Sequence, residues 1–572
     1  MENTITLETN NNLKLVVADA NIQHFQQQDS AIAIKGNIFF DQRICSAEFL
    51  LHQYLEINDD QAFYQRLSGR FWLAIIGAKQ PAFLINDIMG IEPCYYTLQN
   101  NTLYISSYLK QLKRLPITLT LSKQAIFNYL YFHCIPAPTT IYQQTAKLEP
   151  AKAVYLNQQL KFTSQLLYSP EFVQHTNDKT LHKQCINTIE HAVKKHTGEN
   201  VAAFLSGGLD SSTVAGMMAK HQTPARTFSV GFEAKGYDET PYALITAKHF
   251  NTQHQVLYLK PEQAAEAFVK VAQYFDEPFG NSSAMAAYFC AQDAKKQGIE
   301  TLLAGDGGDE LFAGNSRYAR QKVFQPYLKL PSPIQALLKA IFHDSFLANI
   351  PGTQKAASYI SQARAGLPLR LQTHNFINQL GANAIFTADF LTGIDLKQPE
   401  QQLVQRYNEC KSQHPTDAML FLDWKFTLAD NDLVKVRKMC QLADINVEFP
   451  LLDKDLVDFS CLVPADTKLP SNKLRDFYKE SCRGFLADET LSKEKQGFGL
   501  PFGVWLQQNE QLKAITLNNL QAFKKRNIVN DSLIEQVIAA HQQQHSNYYG
   551  ELIWLLVVLE LWLQQDEATA HA

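Results

Sequence analysis

The stretch LSGGLDSS at residues 205–212 has the composition of a phosphate-binding loop. Gly207 and Gly208 carry no side chains, so backbone N–H groups can approach an anion closely. An apolar run before the loop predicts a strand. The pattern after it predicts a helix, capped by Ser211 and Ser212, whose positive end would point at the anion. The spacing therefore predicts an anion cradle, and a plain glycine turn at a helix start is the alternative.

This loop lacks the lysine of the usual ATP-binding loop, G-x-x-x-x-G-K-[ST], and carries Asp210 instead. A carboxylate repels phosphate unless a cation lies between them. Asp210 therefore predicts Mg²⁺, which prefers carboxylate and phosphate oxygens.

A second group of acidic residues, Asp306, Asp309 and Glu310, stands in LLAGDGGDELFAG at residues 302–314. Carboxylates this close raise one another's pKa unless a cation is present. A metal site or a general base is the functional interpretation. The alternative is structural, because Asp309 and Glu310 also favour the first turn of a helix.

The elements that must position these residues alternate between strand and helix from residue 180 onward. Such alternation predicts a parallel sheet covered on both faces, whose ligands bind beyond the carboxyl ends of the strands. The glycine loop and the acidic group both fall there. The chain is predicted to be mostly helical from 320 to 563. The predicted strands span 201–205, 225–232 and 254–259, with a fourth that starts at 300.

The first part of the chain is strand-rich, with helical patterns at 46–55 and 122–132, and predicts a mixed α+β layer domain. A polar stretch at 173–180 is the predicted junction. The sequence thus divides into a domain at 1–170 and an α/β domain at 180–565.

Composition excludes several classes of protein. The net charge is −4 with no strongly basic segment, which argues against a nucleic-acid partner. The N-terminus is polar and acidic, unlike a signal peptide, and the apolar run at 552–559 is too short for a membrane span. Nine cysteines without C-x-x-C spacing predict neither disulfides nor zinc. We expect a cytoplasmic protein without a membrane partner.

Taken together, the two loops resemble those of the asparagine synthetase family, which includes β-lactam synthetases and lasso-peptide cyclases. The loop at 205–212 resembles that of ATP-pyrophosphatases in general. GDGGDELFAG narrows this resemblance to the asparagine synthetase family. Other segments resemble the family in the expected order: FSVGF (228–232), DEPFGNSSA (276–284), FPLLDKDLVDF (449–459) and KQGFGLPFGVWL (495–506). The resemblance implies that ATP is split between its α- and β-phosphates, that a carboxylate becomes an acyl-adenylate, and that a nitrogen nucleophile then forms an amide.

The resemblance also assigns roles to single residues. Asp210 and Asp309 would bind Mg²⁺, and Asp306 would act near the nucleophile. Lys495 would meet developing negative charge, whereas the sequence alone favours an exposed lysine in the charged run SKEK. The residues assigned to pyrophosphate are Ser206, Gly207, Gly208, Ser211 and Ser212, and those assigned to adenosine are Leu205, Val230 and Gly305.

The N-terminal half resembles the family's Ntn-type glutaminase domain in GNIFFD (36–41) and NDIMGIEPCYY (86–96). A working glutaminase exposes a cysteine as its first residue, with the free amine as base. Here the chain reads Met1-Glu2, and its first cysteine, Cys45, follows the segment that the nucleophile should precede. We expect this half not to hydrolyse glutamine and to serve as a scaffold or a docking surface.

The C-terminal half departs from the family pattern in VRKMCQLA (436–443) and NVEFPLLD (446–453). Arg437 stands where the family has an acid, and Glu448 where it has a base. Swapped charges beside a pocket would indicate a different substrate. A compensating Arg437–Glu448 pair is an equally good explanation.

Two versions of an AMP-forming amide ligase remain open. One takes a small-molecule or peptide carboxylate and ammonia, as asparagine synthetase does. The other closes a ring with an amine of its own substrate, as β-lactam synthetases and lasso-peptide cyclases do. A homodimer, or a precursor peptide with a protease, is left open as a partner. A tRNA-thiolating enzyme is disfavoured because C-x-x-C pairs are absent, and a non-catalytic binding protein because both loops are intact.

Overall fold

The N-terminal half consists of two β-sheets that pack face to face, with helices on the outer face of one sheet. The structure, a computed structural model, describes residues 4–8, 13–57, 59–234, 236–342, 354–494 and 499–570. The strands of this half are β1 (Thr4–Glu8), β2 (Lys14–Ala18), β3 (Gln23–Gln27), β4 (Ser30–Phe40), β5 (Arg43–Ile44), β6 (Leu67–Ile76), β7 (Ala82–Asn86), β8 (Tyr95–Gln99), β9 (Thr102–Ser106), β10 (Ala146–Lys147), β11 (Lys152–Leu156) and β12 (Phe162–Leu166).

One sheet has the order β1-β2-β9-β8-β10, and the other β12-β11-β7-β6-β4-β3 with β5 beside β4. Alternate side chains of these strands point to one face, so the two inward faces share a core that includes Leu15, Trp72 and Leu103. Helices α1 (Ala47–Glu56) and α2 (Asp60–Gln65) bury their apolar sides on the other face of the second sheet. The predicted α+β layer domain is confirmed.

A parallel sheet forms the centre of the second half, as predicted. Its order is β15-β14-β13-β16-β17, and every neighbouring pair is parallel. The ends of the four predicted strands are correct to within two residues, whereas β17, at the edge beside β16, was not predicted. The strands are β13 (Val201–Phe204), β14 (Arg226–Gly231), β15 (Gln253–Tyr258), β16 (Thr301–Leu303) and β17 (Asn446–Glu448).

Helices join these strands, cover the sheet and make up most of the remaining chain. Those up to β16 are α3 (Leu109–Leu112), α4 (Lys123–Phe132), α5 (Leu181–Lys194), α6 (Leu209–His221), α7 (Thr240–Phe250), α8 (Pro261–Tyr274) and α9 (Ala284–Lys296). Those between β16 and the central helical run are α10 (Gly308–Phe312), α11 (Ser316–Lys322), α12 (Gln325–Leu328), α13 (Ser332–Phe342), α14 (Gln354–Arg364), α15 (Phe376–Leu380), α16 (Ala382–Ile385), α17 (Ala388–Leu391) and α18 (Gln398–Asn408), with a 3₁₀ turn at Leu369–Gln372.

One long helical run crosses the second half. It comprises α19 (Pro415–Asp423), a π-helical segment (Trp424–Asp432) and α20 (Leu433–Leu442). A π segment of this length is uncommon and is often found at a functional site. The elements after β17 are a 3₁₀ turn (Pro450–Leu452), α21 (Lys454–Leu462), α22 (Ala465–Lys468), α23 (Asp476–Ser481), α24 (Asp488–Ser492), α25 (Phe502–Gln508), α26 (Glu510–Lys524), α27 (Asp531–Gln543) and α28 (Ser546–Ala570).

The apolar run at 552–559 lies in α28, and its side chains are mostly buried in the core. Glu560 is buried as well and forms an ion pair with Arg526. Within the described residues, no helix combines the length and the apolar character needed to cross a membrane. The run therefore packs inside the fold, as the sequence predicted.

The two halves share one continuous core and a buried cluster of charges. Apolar side chains of the first half, such as Tyr129 and Ile141, belong to the same core as Phe279 and Leu555 of the second. Beside this core, four basic and four acidic side chains form ion pairs, several of which join one half of the chain to the other. This interdomain charge cluster consists of Lys147, Lys152, Arg406, Lys425, Glu149, Glu277, Glu409 and Asp430.

Within the cluster, Lys152 Nζ lies 2.9 Å from Glu149 and 2.6 Å from Glu409. Its side chain is only 5% exposed. Removing one member of such a pair leaves the other charge buried without compensation, which costs far more than a surface pair contributes.

We expect Lys152→Met to lower the free energy of unfolding by about 3 kcal/mol, measured as a shift of the urea midpoint. The control is Lys14→Met, because Lys14 and Glu8 form an ion pair whose side chains are 52% and 58% exposed. That change should cost less than about 1 kcal/mol. Equal shifts of the urea midpoint for the two variants would contradict the expectation that the buried cluster contributes more to stability than a surface ion pair.

Candidate active site

The glycine loop follows β13 and leads directly into α6. Gly207 has a φ of +73°, and a Cβ there would lie 2.4 Å from the backbone nitrogen of Ala243. Gly208 is the N-cap residue of α6, and its N–H donates to Ser206 Oγ at 3.3 Å. The Ser206 and Ser211 hydroxyls are 3.0 Å apart. The loop is thus held in place by its own hydroxyls at the positive end of a 13-residue helix.

The predicted serine caps are wrong. Helix α6 begins at Leu209, and Gly208 makes no side-chain capping bond. The Ser211 hydroxyl instead donates to the Gly208 carbonyl at 3.3 Å, from within the first turn. Ser212 also lies in that turn, where its hydroxyl is 2.9 Å from Thr246 Oγ1.

The acidic loop reaches the glycine loop because β16 pairs with β13 in register, with Leu303 opposite Ala203. Both strands end there, so their loops leave the same edge of the sheet side by side. Gly305 makes the contact, since a Cβ at that position would lie 2.7 Å from the backbone nitrogen of Ser211. A Cβ at Gly308 would lie 2.0 Å from Asp210 Oδ1. Glycine at both positions allows the loops to touch.

Arg475 joins the two loops electrostatically. Its Nη1 lies 3.3 Å from Asp210 Oδ2 and 3.2 Å from Asp309 Oδ1. Burial lowers the pKa of Arg475, but the carboxylates of Asp210 and Asp309 outweigh it, so the pKa is raised overall. Sequence reasoning missed this residue, because nothing in the local pattern around position 475 connects it to loops more than 160 residues away.

The donor set of Asp210 and Asp309 fits Mg²⁺. Both are carboxylates that share one guanidinium nitrogen, and Mg²⁺ is typically bound by one or two carboxylates together with phosphate oxygens and water. A Cβ at Gly314 would lie 1.6 Å from Asp309 Oδ1, so this carboxylate needs the space that glycine leaves. Within the described part of the chain, no group of three or more His, Cys, Asp or Glu side chains forms a metal site.

A third group of charges lies on the wall formed by the π segment and α20. Lys435 Nζ is 2.8 Å from Asp432 Oδ1, and both residues line the cavity with Asp306. Burial raises the pKa of Asp306 to about 6, Lys435 acts to lower it, and Asp432 acts to raise it. Asp306 is therefore protonated more readily than an exposed aspartate. Neither Asp432 nor Lys435 was predicted as a site residue.

These groups surround one cavity of about 430 Å³ at the carboxyl edge of β13, β14 and β16. Its apolar end includes Ala286, Ala287 and Cys290. Gly207 and Ser212 do not line it, because Gly207 packs against α7 and Ser212 faces Thr246. The predicted residues that do line it are Leu205, Ser206, Gly208, Asp210, Ser211, Val230, Gly305, Asp306 and Asp309.

The predicted catalytic residue Lys495 lies outside the described residues. A neighbouring lysine, Lys493, lines the cavity, where its Nζ is 3.2 Å from Glu239 Oε1. Both side chains are nearly buried, at 7% and 8% exposure. A buried pair at the rim of the cavity fixes the end of α24, the element that leads to Lys495.

The structure does not pair Arg437 with Glu448. Glu448 lies 3.9 Å from His196, while Arg437 is buried near Glu92 of the N-terminal half and acts to lower the pKa of that carboxyl group, which burial acts to raise. Neither residue lines the cavity. These two charges therefore give no evidence of a changed substrate pocket. They do not form a compensating pair either.

A family model described as "Asparagine synthase" matches residues 185–564, which include the sheet, both loops and the cavity. The chain belongs to the asparagine synthase family. It is therefore a carbon–nitrogen ligase of an ATP-using family. A second model, "Glutamine amidotransferase domain", matches residues 8–167.

Curated relatives agree with this assignment. The chain is 24% identical over 566 residues to "Asparagine synthetase [glutamine-hydrolyzing] 1" of Bacillus subtilis (strain 168), covering 96% of this chain and 85% of the relative. It is 36% identical over 277 residues to "Putative asparagine synthetase [glutamine-hydrolyzing] 2" of Methanocaldococcus jannaschii, covering 47% of this chain and 53% of the relative.

Among solved structures, an NMN synthetase from Francisella tularensis matches with a TM-score of 0.20 and 17% identity, covering 35% of this chain and 95% of that one. An NH3-dependent NAD synthetase from Campylobacter jejuni matches with a TM-score of 0.19 and 12% identity, covering 42% and 99%. The family assignment does not depend on these two similarities.

The contact between the two loops can be tested at Gly305. We expect Gly305→Ala to weaken binding of a fluorescent ATP analogue at least tenfold, because the added Cβ would meet backbone atoms of Asp210 and Ser211 that cannot move independently. The control is Gly366→Ala, since a Cβ at Gly366 would have no neighbour within 4 Å. Unchanged affinity in Gly305→Ala would show that the loops need not touch to bind nucleotide.

Proposed function

We propose that this ligase forms an amide bond through an acyl-adenylate and releases AMP and pyrophosphate. The observation that carries the proposal is the convergence of Asp210, Asp309 and Arg475 at the N-terminus of α6, inside the cavity. An arrangement of two acids, one guanidinium and a helix N-terminus suits a pyrophosphate leaving group held with a cation.

Each part of the cavity would serve one component of the reaction. The apolar end beyond Leu205 and Val230 suits adenosine, and the hydroxyls of Ser206 and Ser211 suit the β- and γ-phosphates. Asp210 and Asp309 would hold Mg²⁺, which would neutralise charge on the leaving pyrophosphate. These assignments place the α-phosphorus between the loops and the wall that carries Lys435.

The first step joins a carboxylate oxygen of the substrate to the α-phosphorus, while the bond from that phosphorus to the β-phosphate oxygen breaks. In the second, an amine nitrogen attacks the acyl carbon, the bond to AMP breaks, and the nitrogen loses a proton. The Lys435 ammonium is placed to hold the carboxylate in position. Asp306, with a pKa raised to about 6 mainly by burial, is placed to accept the proton.

We further propose that the N-terminal half does not hydrolyse glutamine. Hydrolysis requires an activated cysteine thiolate. Cys45 lies between β5 and α1, its thiol donates to the Arg43 carbonyl at 3.0 Å, and burial raises its pKa. Cys94 is fully buried, and burial raises its pKa well above the usual range. Both environments disfavour the thiolate.

Two sources of the attacking nitrogen suit this site. One is ammonia from solution, as in an asparagine-forming reaction. The other is an amine already present in the substrate, which would give a lactam, as in the β-lactam synthetases and lasso-peptide cyclases. The mass of the product distinguishes them, because ring closure removes water from one molecule whereas amidation adds nitrogen.

We expect the protein with Mg·ATP and its carboxylate substrate to exchange labelled pyrophosphate into ATP. Asp210→Asn should lower the exchange rate at least 100-fold, because it removes a metal-binding carboxylate from beside the leaving group. Asp444→Asn is the control, since Asp444 is 93% exposed and its φ of +56° suits asparagine. Exchange that survives in Asp210→Asn, or that is absent with every carboxylate including aspartate, would contradict the proposed chemistry.

Incubation with glutamine should release no more ammonia than a heat-inactivated sample, measured by a coupled glutamate dehydrogenase assay. The companion variants Cys45→Ser and Cys94→Ser should leave this background unchanged. Ammonia release above background that either variant abolished would overturn the proposal and identify the thiol responsible.

A further inference from the structure

A second cavity of about 500 Å³ lies beside the nucleotide cavity and opens to solvent. We call it the distal groove. The end of α4, the π segment, α28 and the segment at 371–376 contribute most of its walls. Its apolar and aromatic lining includes Tyr131, Phe132, His133, Phe376, Phe426 and Leu552.

The aromatic side chains form a connected surface within the groove. The ring centroids of Phe132 and Phe426 are 5.2 Å apart, and those of Tyr131 and Phe132 are 4.8 Å apart. The His133 ring lies 6.4 Å from Phe376, and burial lowers its pKa to about 4, so the imidazole is uncharged at neutral pH. Such a surface suits an aromatic or branched apolar group.

The groove and the nucleotide cavity adjoin each other, and one residue lines both. That residue is Thr427 of the π segment. Asn281, which lines the nucleotide cavity, donates through Nδ2 to Oδ1 of Asn431, which lines the groove, at 2.8 Å. The groove therefore adjoins the nucleotide cavity where Thr427 and Asn281 line it, and Asn431 of the groove is the sequence neighbour of Asp432 of the nucleotide cavity.

The loop DEPFGNSSA contacts residues of both cavities. The Gly280 N–H donates to the His133 carbonyl at 2.8 Å, and a Cβ on Gly280 would lie 2.2 Å from Leu555 Cδ2. The next residue but one, Ser282, donates to Glu551 in the groove at 2.8 Å. One short loop thus contacts the nucleotide cavity through Asn281 and the groove through Ser282.

The charges around the groove disfavour a second anion. The guanidinium of Arg317 is already paired with Asp423, and its Nη2 donates to Thr427 Oγ1 at 2.8 Å. Glu551 accepts a hydrogen bond from Ser282, and burial raises the pKa of its carboxyl group. A neutral group therefore suits the groove better than a second carboxylate.

We propose that the distal groove binds the far end of the ligase's own substrate, an aromatic or branched apolar group attached to the carboxylate that reacts beside the nucleotide. This inference rests on the proposed function, since it is the adjacent reaction site that identifies the occupant. The enzyme would then prefer a bulky carboxylate to one as small as aspartate.

The test compares two probes, 3-phenylpropionate and propionate, by saturation-transfer NMR on the full-length protein. We expect the first to bind at least tenfold more tightly than the second. Leu552→Trp fills the groove and should weaken binding of 3-phenylpropionate at least tenfold. His374→Trp should also weaken binding of 3-phenylpropionate. Because His374 is exposed where it lines the groove, this change should not disturb the packing of the core.

The control is Leu462→Trp, because Leu462 is 47% exposed at the end of α21, away from both cavities. It should leave binding unchanged within twofold, and all three variants should keep the affinity for the ATP analogue. Equal binding of the two probes, or undiminished binding of 3-phenylpropionate in both groove variants, would overturn the inference. Groove binding without pyrophosphate exchange for any carboxylate would overturn the proposed function, and with it the identification of the occupant as the ligase's substrate.

Discussion

Two carboxylates and one buried guanidinium hold the reaction site together. Asp210 and Asp309 come from different loops, and each would be costly to bring close to the other without Arg475 between them. The pairing of β13 with β16 sets the distance between the loops, and Gly305 and Gly308 remove the side-chain atoms that would keep them apart. The position of α6, the shape of the cavity and the fit for a cation all depend on this contact.

The N-terminal half is joined to that site more closely than a separate domain would be. It shares a core with the second half, contributes to the interdomain charge cluster, and supplies the end of α4 to the distal groove. The ligase half packs against the N-terminal half, which gives the latter a structural role whatever its own chemistry.

Regular alternation of strand and helix allowed most of the second half to be predicted, since periodicity is a local property of the sequence. The strand β17 was missed because its sequence, NVE, has a single apolar residue, whereas the equally short β16 stands in the apolar run TLLA. Both loops were found from residue type and spacing, but Arg475 and Lys435 were not, because only the fold brings them to the cavity. The π segment was likewise beyond prediction, since its extra residue per turn leaves no signature in the order of apolar and polar positions.

The number of residues in the π segment sets the orientation of the helix that follows it. Relative to an α-helix, each residue added or removed turns everything that follows by about 100°. Loss of a single residue between Trp424 and Asp432 would leave the run from α19 to α20 helical, yet would rotate Lys435 away from the cavity. The same rotation would turn Leu433, Met439 and Cys440, which are almost fully buried, out of the core. The charged side of the cavity and the packing of α20 thus depend on the same extra residue.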